Sequence, residues 1–171
     1  MNALDLILSK GCTRLSNARV AASMVRAREW WATVHVDEHG GASLIMKRDI
    51  QIDFQLLGTE LPPSEITRRI GVTPDLALLR GERNPKLDIP RQSIWSLRST
   101  SFSDRVVDHW HDLEATLCNS KEAIREIGGT GIVKFTIIVT AENRLPSLII
   151  PSEMSAFAGF VGAVIDIDHL Q

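Results

Sequence analysis

Three arginines and a tryptophan lie close together in the middle of the chain, at Arg80, Arg91, Trp95 and Arg98, and Ser99 follows directly. Guanidinium groups bind carboxylates and phosphates through paired hydrogen bonds, and Arg and Trp often dominate the binding energy of protein interfaces. These residues could therefore bind an anionic ligand or anchor a protein partner. The competing interpretation places Trp95 in the core and the arginines in surface ion pairs. We take the five residues as the candidate binding site.

A second group could bind a metal ion, because it combines imidazoles with carboxylates: Asp108, His109, His111, Asp112 and Glu114. On a helix, however, only side chains three or four residues apart share a face. Asp108 therefore faces Asp112, and His111 faces Glu114, with no third or fourth ligand at a suitable spacing. We expect a solvated acidic helix face and no metal site.

Two other patterns could suggest a catalytic or phosphate-binding site, but each has a simpler structural explanation. Asp166 and Asp168 share one face of a predicted strand, where they could act as paired carboxylates or form the wet face of that strand. The glycine-rich segment Gly128–Gly131 follows a predicted helix and precedes a strand, whereas phosphate loops need the opposite order. We predict no catalytic residue and no cofactor, and we lean against an enzyme.

Composition narrows the class of protein. The 171 residues carry 21 acidic and 19 basic side chains, a net charge of −2, which argues against a dedicated nucleic-acid binder. The two cysteines are too few for a disulfide framework and too far apart in sequence for a metal knuckle. The first apolar run is interrupted by Asp5 and is too short to span a membrane or to act as a good signal peptide. We therefore predict a cytoplasmic protein that binds neither nucleic acid nor membrane.

Alternating apolar residues predict the central strands. Segments 50–57 and 130–140 both place apolar side chains at every second position and polar ones between them. A helix from about Pro63 to Ile70 would bury Ile66 and Ile70 and end at Gly71, a residue suited to the left-handed position after a helix.

The remaining predicted elements are an extended segment at 76–80, a strand at 93–99, a helix capped by Ser103, a second short helix capped by Ser120, a strand at 148–150, a helix capped by Ser152 and a last strand at 163–168. Strands with one polar face, separated by helices, indicate an α+β fold with a mixed or mostly antiparallel sheet and helices packed on one face. The order is plausible for a ferredoxin-like variant.

Residues 1–45 are predicted to be an N-terminal extension, and residues 46–171 a single α+β domain. The extension contains a helical pattern between Thr13 and Trp31 and two β-prone runs, 33–36 and 43–46, around a Gly-Gly loop. A disordered tail is the alternative to the helix. The apolar residues from Leu44 to Leu56 share one parity, broken only by Arg48, so one long strand could keep them on one face. The opposing possibility is that Met46 marks the start of the domain and that everything before it is an appended segment.

The domain resembles a bacterial domain-of-unknown-function family, DUF4279, over residues 47–170. The resemblance lies in the order and spacing of several segments: the strand with Phe54, the helix 64–70 with the following Gly-Val-Thr-Pro, Arg80-Gly81, the segment 95–99, the acidic helix after Ser103 and the closing 165–168. It implies a small, cytoplasmic, single-domain α+β protein and no established activity.

Three functions are consistent with these observations. The first is a non-catalytic protein-binding module, of which toxin-immunity proteins are one class by analogy. The second is a small-ligand-binding protein or enzyme with a pocket in which Arg80 or Arg91 points inward beside Trp95. The third is a homo-oligomer, most simply a homodimer, that assembles through the N-terminal extension.

Overall fold

The computed structural model describes residues 50–140 and 147–170 with their side chains, and the backbone of two strands before them. These two strands, β1 (Thr33–Val36) and β2 (Ala42–Ile45), pair antiparallel where the sequence predicts a hairpin. They form a sheet of their own, so Leu44 does not share a strand with Leu56 as the long-strand alternative requires. The helix predicted between Thr13 and Trp31 lies outside the described residues.

Five strands form the main sheet: β3 (Ile50–Leu57), β4 (Leu76–Leu78), β5 (Ile94–Arg98), β6 (Ile132–Thr140) and β7 (Val164–Leu170). Their spatial order is β4-β5-β3-β6-β7, and every pair is antiparallel except β6 with β7. The parallel pair requires a crossover, which a helix provides. The mixed, mostly antiparallel sheet is confirmed, and the finer ferredoxin-like assignment stays a prediction.

The described helices are α1 (Pro63–Ile70), α2 (Val106–Asn119), α3 (Lys121–Gly128) and α4 (Ser152–Val161). They cover the sheet face to which the apolar residues of β3, β5 and β6 point, as the α+β prediction requires. Four aromatic rings occupy the centre of this core. Phe54 and Phe135 lie on paired strands with centroids 5.0 Å apart, and Trp110 and Phe157 approach from the helices with centroids 5.5 Å apart. Such tilted pairs add about 0.5–1.5 kcal/mol each beyond the burial of their area.

The start of helix α2 and the segment 148–150 differ from the prediction. Helix α2 begins at Val106 instead of directly after Ser103, because the Ser103 hydroxyl accepts the Arg105 N–H and donates to Asp108 within a turn that precedes the helix. Segment 148–150 is not a strand. Its apolar residues Leu148 and Ile150 pack against the core without pairing to the sheet.

Candidate functional site

Trp95 belongs to the core. Its side chain is 0% exposed, and its indole N–H donates to the Thr67 hydroxyl over 3.0 Å. Thr67 in turn donates to the carbonyl of Pro63, also over 3.0 Å. Trp95 therefore connects strand β5 to helix α1 within the core, and it cannot itself contact a ligand.

Arg80 and Arg91 lie on a surface loop, residues 79–92, which we call the basic loop. The Arg80 guanidinium donates from Nε to both carboxylate oxygens of Asp88, over 3.0 and 2.8 Å. These hydrogen bonds hold the pKa of Asp88 below its usual value, and the nearby charge of Arg91 acts in the same direction. Both arginines are exposed.

Arg98 and Ser99 lie elsewhere. The Arg98 Nε is 3.2 Å from Oδ1 of Asp53, on the sheet face opposite the helices. Ser99 is buried, and its hydroxyl lies 2.7 Å from Nδ1 of His109. The five predicted site residues thus occupy three places: the basic loop, the core beneath helix α1, and the far end of β5. A ligand-binding role for them stays a prediction.

The basic loop is ordered by its own backbone. Gly81 N–H donates to the Pro90 carbonyl over 2.8 Å, and Arg83 N–H donates to the Ile89 carbonyl over 2.9 Å. Ile89 N–H donates to the Asn84 carbonyl over 3.1 Å. The backbone of the loop therefore has a defined conformation.

Apolar and cationic side chains share the surface of the basic loop. Leu87 is 65% exposed, Leu79 49% and Ile89 43%. Four basic side chains lie beside them, against two acidic ones: Arg80, Arg83, Lys86 and Arg91, with Glu82 and Asp88. Because exposed leucines and isoleucines are costly when they are clustered in water, such a surface is typical of a contact site.

A groove runs beside the basic loop, between helix α1 and the short edge strand β4; we call it the α1–β4 groove. It has a volume of 420 Å³ and is lined by Pro63, Ser64, Thr67, Thr73, Pro74, Ala77, Leu78, Leu79 and Glu82. Ala77 pairs with Trp95 across the strands, and Thr67 is held by the Trp95 indole, so Trp95 supports the floor. Neither Trp95 nor a predicted site arginine lines it.

Sequence reasoning missed this groove. The turn after Gly71 and the short apolar run 76–78 were the available signals, but they do not show that β4 lies at an edge. An edge position depends on which strands pair, and that is a property of the whole sheet.

The acidic helix face is not uniformly solvated as predicted. His109 is fully buried, with Nε2 2.8 Å from the Ser103 carbonyl oxygen. Asp112 on the same helix remains at the surface. Burial acts to raise its pKa, but hydrogen bonds from Thr100 and Ser101 outweigh that effect and lower it. The Ser99–His109 contact has the composition of a nucleophile and a base, yet no substrate can reach either buried side chain.

Among residues 50–140 and 147–170, no group of three or more His, Cys, Asp or Glu side chains is arranged to hold a metal ion. Over the same described part of the chain, no helix is long and apolar enough to cross a membrane. Asp166 and Asp168 are both exposed on β7, which fits the wet-face interpretation.

Comparison with known proteins identifies the family. The model of the domain of unknown function DUF4279 matches residues 48–171. The chain belongs to the DUF4279 family. The resemblance predicted over residues 47–170 is therefore confirmed, and the DUF4279 domain coincides with the main sheet and its helices. Neither the curated proteins nor the solved structures gave a match.

Proposed function

We propose that this DUF4279 protein is a non-catalytic protein-binding module and that the basic loop is its contact surface. The observation that carries the proposal is the exposure of Leu87, 65% of its side chain, on a loop held rigid by its own backbone hydrogen bonds. A preordered loop loses little conformational entropy on binding, so more of its contact energy contributes to affinity. A toxin-immunity role in the bacterial cytoplasm is one form that such binding could take.

Binding is favoured over catalysis by the position of the polar groups. The Ser99–His109 pair is enclosed in the core, and within the basic loop Arg80 is paired with Asp88. Exposed arginines flanking apolar side chains are typical of interface centres.

Differential capture from a lysate of the native host tests the proposal. The bait is the full chain, compared with Leu87→Asp and with Ile132→Asp, which places the same change at an exposed position (48%) on β6. We expect proteins that bind the wild type and the Ile132→Asp variant but not the Leu87→Asp variant. Identical sets of captured proteins for all three baits would contradict the proposal. Circular dichroism first confirms that each bait is folded.

A further inference from the structure

The α1–β4 groove combines an apolar floor with the free edge of a strand. Strand β4 is the outermost strand of the main sheet, so its outer edge has no neighbouring strand in the described structure. Helix α1 forms the opposite wall, with Pro63 and Thr67 facing Ala77 and Leu79. An extended chain fits between a sheet edge and a helix because it can pair with the edge and place alternate side chains in the groove.

The backbone at the end of β4 shows which groups face the groove. Arg80 N–H donates to the Ser93 hydroxyl, on the side of β5, over 3.3 Å. Leu79 follows β4 directly, and its N–H donates to the Glu82 carboxylate over 2.6 Å. Leu79 and Glu82 both line the groove.

Glu82 thus occupies the position that a carbonyl oxygen of a sixth strand would take. The Glu82 side chain is exposed, and Leu79 is 49% exposed, so the hydrogen bond between them lies at the surface, where a strand could replace the carboxylate as acceptor.

We propose that the α1–β4 groove binds an extended segment of a partner protein, which pairs with β4 as a sixth strand and displaces Glu82. This inference rests on the proposed function of the basic loop. The segment carries an apolar side chain for the groove and acidic side chains for the adjoining loop, where Arg83, Lys86 and Arg91 are exposed and, among residues 50–140 and 147–170, form no ion pair like that of Arg80 with Asp88. The other edge, β7, carries exposed Asp166 and Asp168 and would repel the same segment.

The test uses the full-length ¹⁵N-labelled protein and a defined probe, the blocked heptapeptide Glu-Val-Glu-Leu-Glu-Val-Glu. The control peptide has Lys in place of each Glu. We expect the acidic peptide to shift the amide resonances of residues 76–79 and Glu82 strongly and the control to shift them weakly. Equal shifts with both peptides, or shifts that leave residues 76–78 of β4 unchanged, would overturn the inference.

Two variants, one of them with a matched control, test whether the peptide binds in the groove and replaces Glu82. Ala77→Phe fills the groove floor and should weaken binding about tenfold or more, whereas Ala156→Phe, the same change at an exposed position of α4, should leave it unchanged. Glu82→Ala removes the competing acceptor and should tighten binding about 2- to 10-fold, the worth of one hydrogen bond. Weaker binding by the Glu82→Ala variant, or equal effects of the two Phe variants, contradicts the sixth-strand model.

The inference about the groove and the proposal about the basic loop can be contradicted independently. If proteins captured from the lysate are lost with Leu87→Asp but retained with Ala77→Phe, the basic loop is the contact surface and the groove inference is wrong. If neither substitution changes the captured set, the proposed function fails as well.

Discussion

At the scale of single residues, His109 closes a buried hydrogen-bond network at the end of β5. The Ser103 carbonyl can only accept, so Nε2 of His109, 2.8 Å away, must carry a proton. The Ser99 hydroxyl accepts the Ile52 N–H over 2.9 Å and lies 2.7 Å from Nδ1 of His109. Both ring nitrogens therefore have a hydrogen-bond partner, and the network joins β3, β5 and α2.

Ser99→Ala should lower the free energy of unfolding by about 1–3 kcal/mol, because the Ile52 N–H and the His109 Nδ1 both lose their partner in the core. Urea denaturation followed by circular dichroism measures the change. Ser155→Ala removes a hydroxyl from an exposed position of α4 and should change stability by no more than about 0.5 kcal/mol. Equal effects of the two substitutions would show that the network adds nothing to stability.

Asp53→Asn should stabilise the protein at neutral pH. Asp53 is 4% exposed, and burial raises its pKa more strongly than the charge of Arg98 and the hydrogen bond from Arg98 lower it. A carboxyl group with a raised pKa in the folded state destabilises the fold above that pKa, and the penalty disappears as pH falls toward the ordinary pKa of an aspartate. The gain from Asn should therefore shrink as pH is lowered.

Urea denaturation of wild type and variant across the acid and neutral range checks the Asp53 prediction. Asp168→Asn, an exposed carboxyl on β7, is the matched control and should shift stability little. A gain that is the same at every pH would assign the effect to packing. A loss at neutral pH would show that the contact with Arg98, 3.2 Å between Nε and Oδ1, outweighs the cost of burial.

At the scale of elements, Gly131 sets the distance between the start of β6 and the end of β3. A Cβ atom at this position would lie 2.5 Å from the Leu57 carbonyl oxygen and 2.9 Å from the Thr59 nitrogen. Both are backbone atoms, which cannot rotate away as a side chain can. The glycine-rich segment therefore has a packing role between helix α3 and β6, consistent with the rejection of a phosphate loop.

Gly131→Ala should consequently destabilise the protein by about 1–3 kcal/mol, the usual cost of overpacking. Gly159 in helix α4 is the control, since a Cβ atom there would meet nothing within 4 Å. Gly159→Ala should stabilise by about 0.5–1 kcal/mol through helix propensity. Thermal or urea unfolding distinguishes the two, and a stabilising Gly131→Ala would contradict the close approach.

The strongly periodic elements could be predicted from sequence. The alternation in β3 and β6 is imposed by a sheet with one covered face, and the apolar side chains predicted to share that face, such as Phe54 and Phe135, are buried. Helix α1 ends where Gly71 takes a left-handed conformation with φ of 76°. These features depend on local sequence and on a single buried face, so a short window contains the information.

The site could not be predicted in the same way. Arg80, Trp95 and Arg98 are close in sequence, but strand alternation sends Trp95 and Arg98 to opposite faces of the sheet and the loop carries Arg80 outward. The buried state of His109 depends on a contact with β5. Such contacts follow from tertiary packing, which spacing along the chain does not encode.

At the scale of the whole molecule, the packed core and the exposed contact surface occupy different parts of the sheet. The buried network of Ser99 and His109 and the four aromatic rings lie under the helices near the centre of the sheet. The basic loop and the α1–β4 groove lie at one edge, supported from beneath by Trp95. A contact surface at this edge can vary in side chain without disturbing the core, which suits a binding module.

A chain that starts at Met46 should fold on its own. The buried apolar cluster of the described residues runs from Ile50 to Val161, the family match begins at residue 48, and β1 with β2 forms a separate sheet. We expect one cooperative urea transition with an m-value in proportion to the shorter chain.

Light scattering of both chains then tests assembly through residues 1–45. A dimeric full chain beside a monomeric truncation would support the homo-oligomer alternative, and two monomers would exclude it. A truncation that lacks a cooperative transition would show that residues 1–45 contribute to the stability of the folded domain.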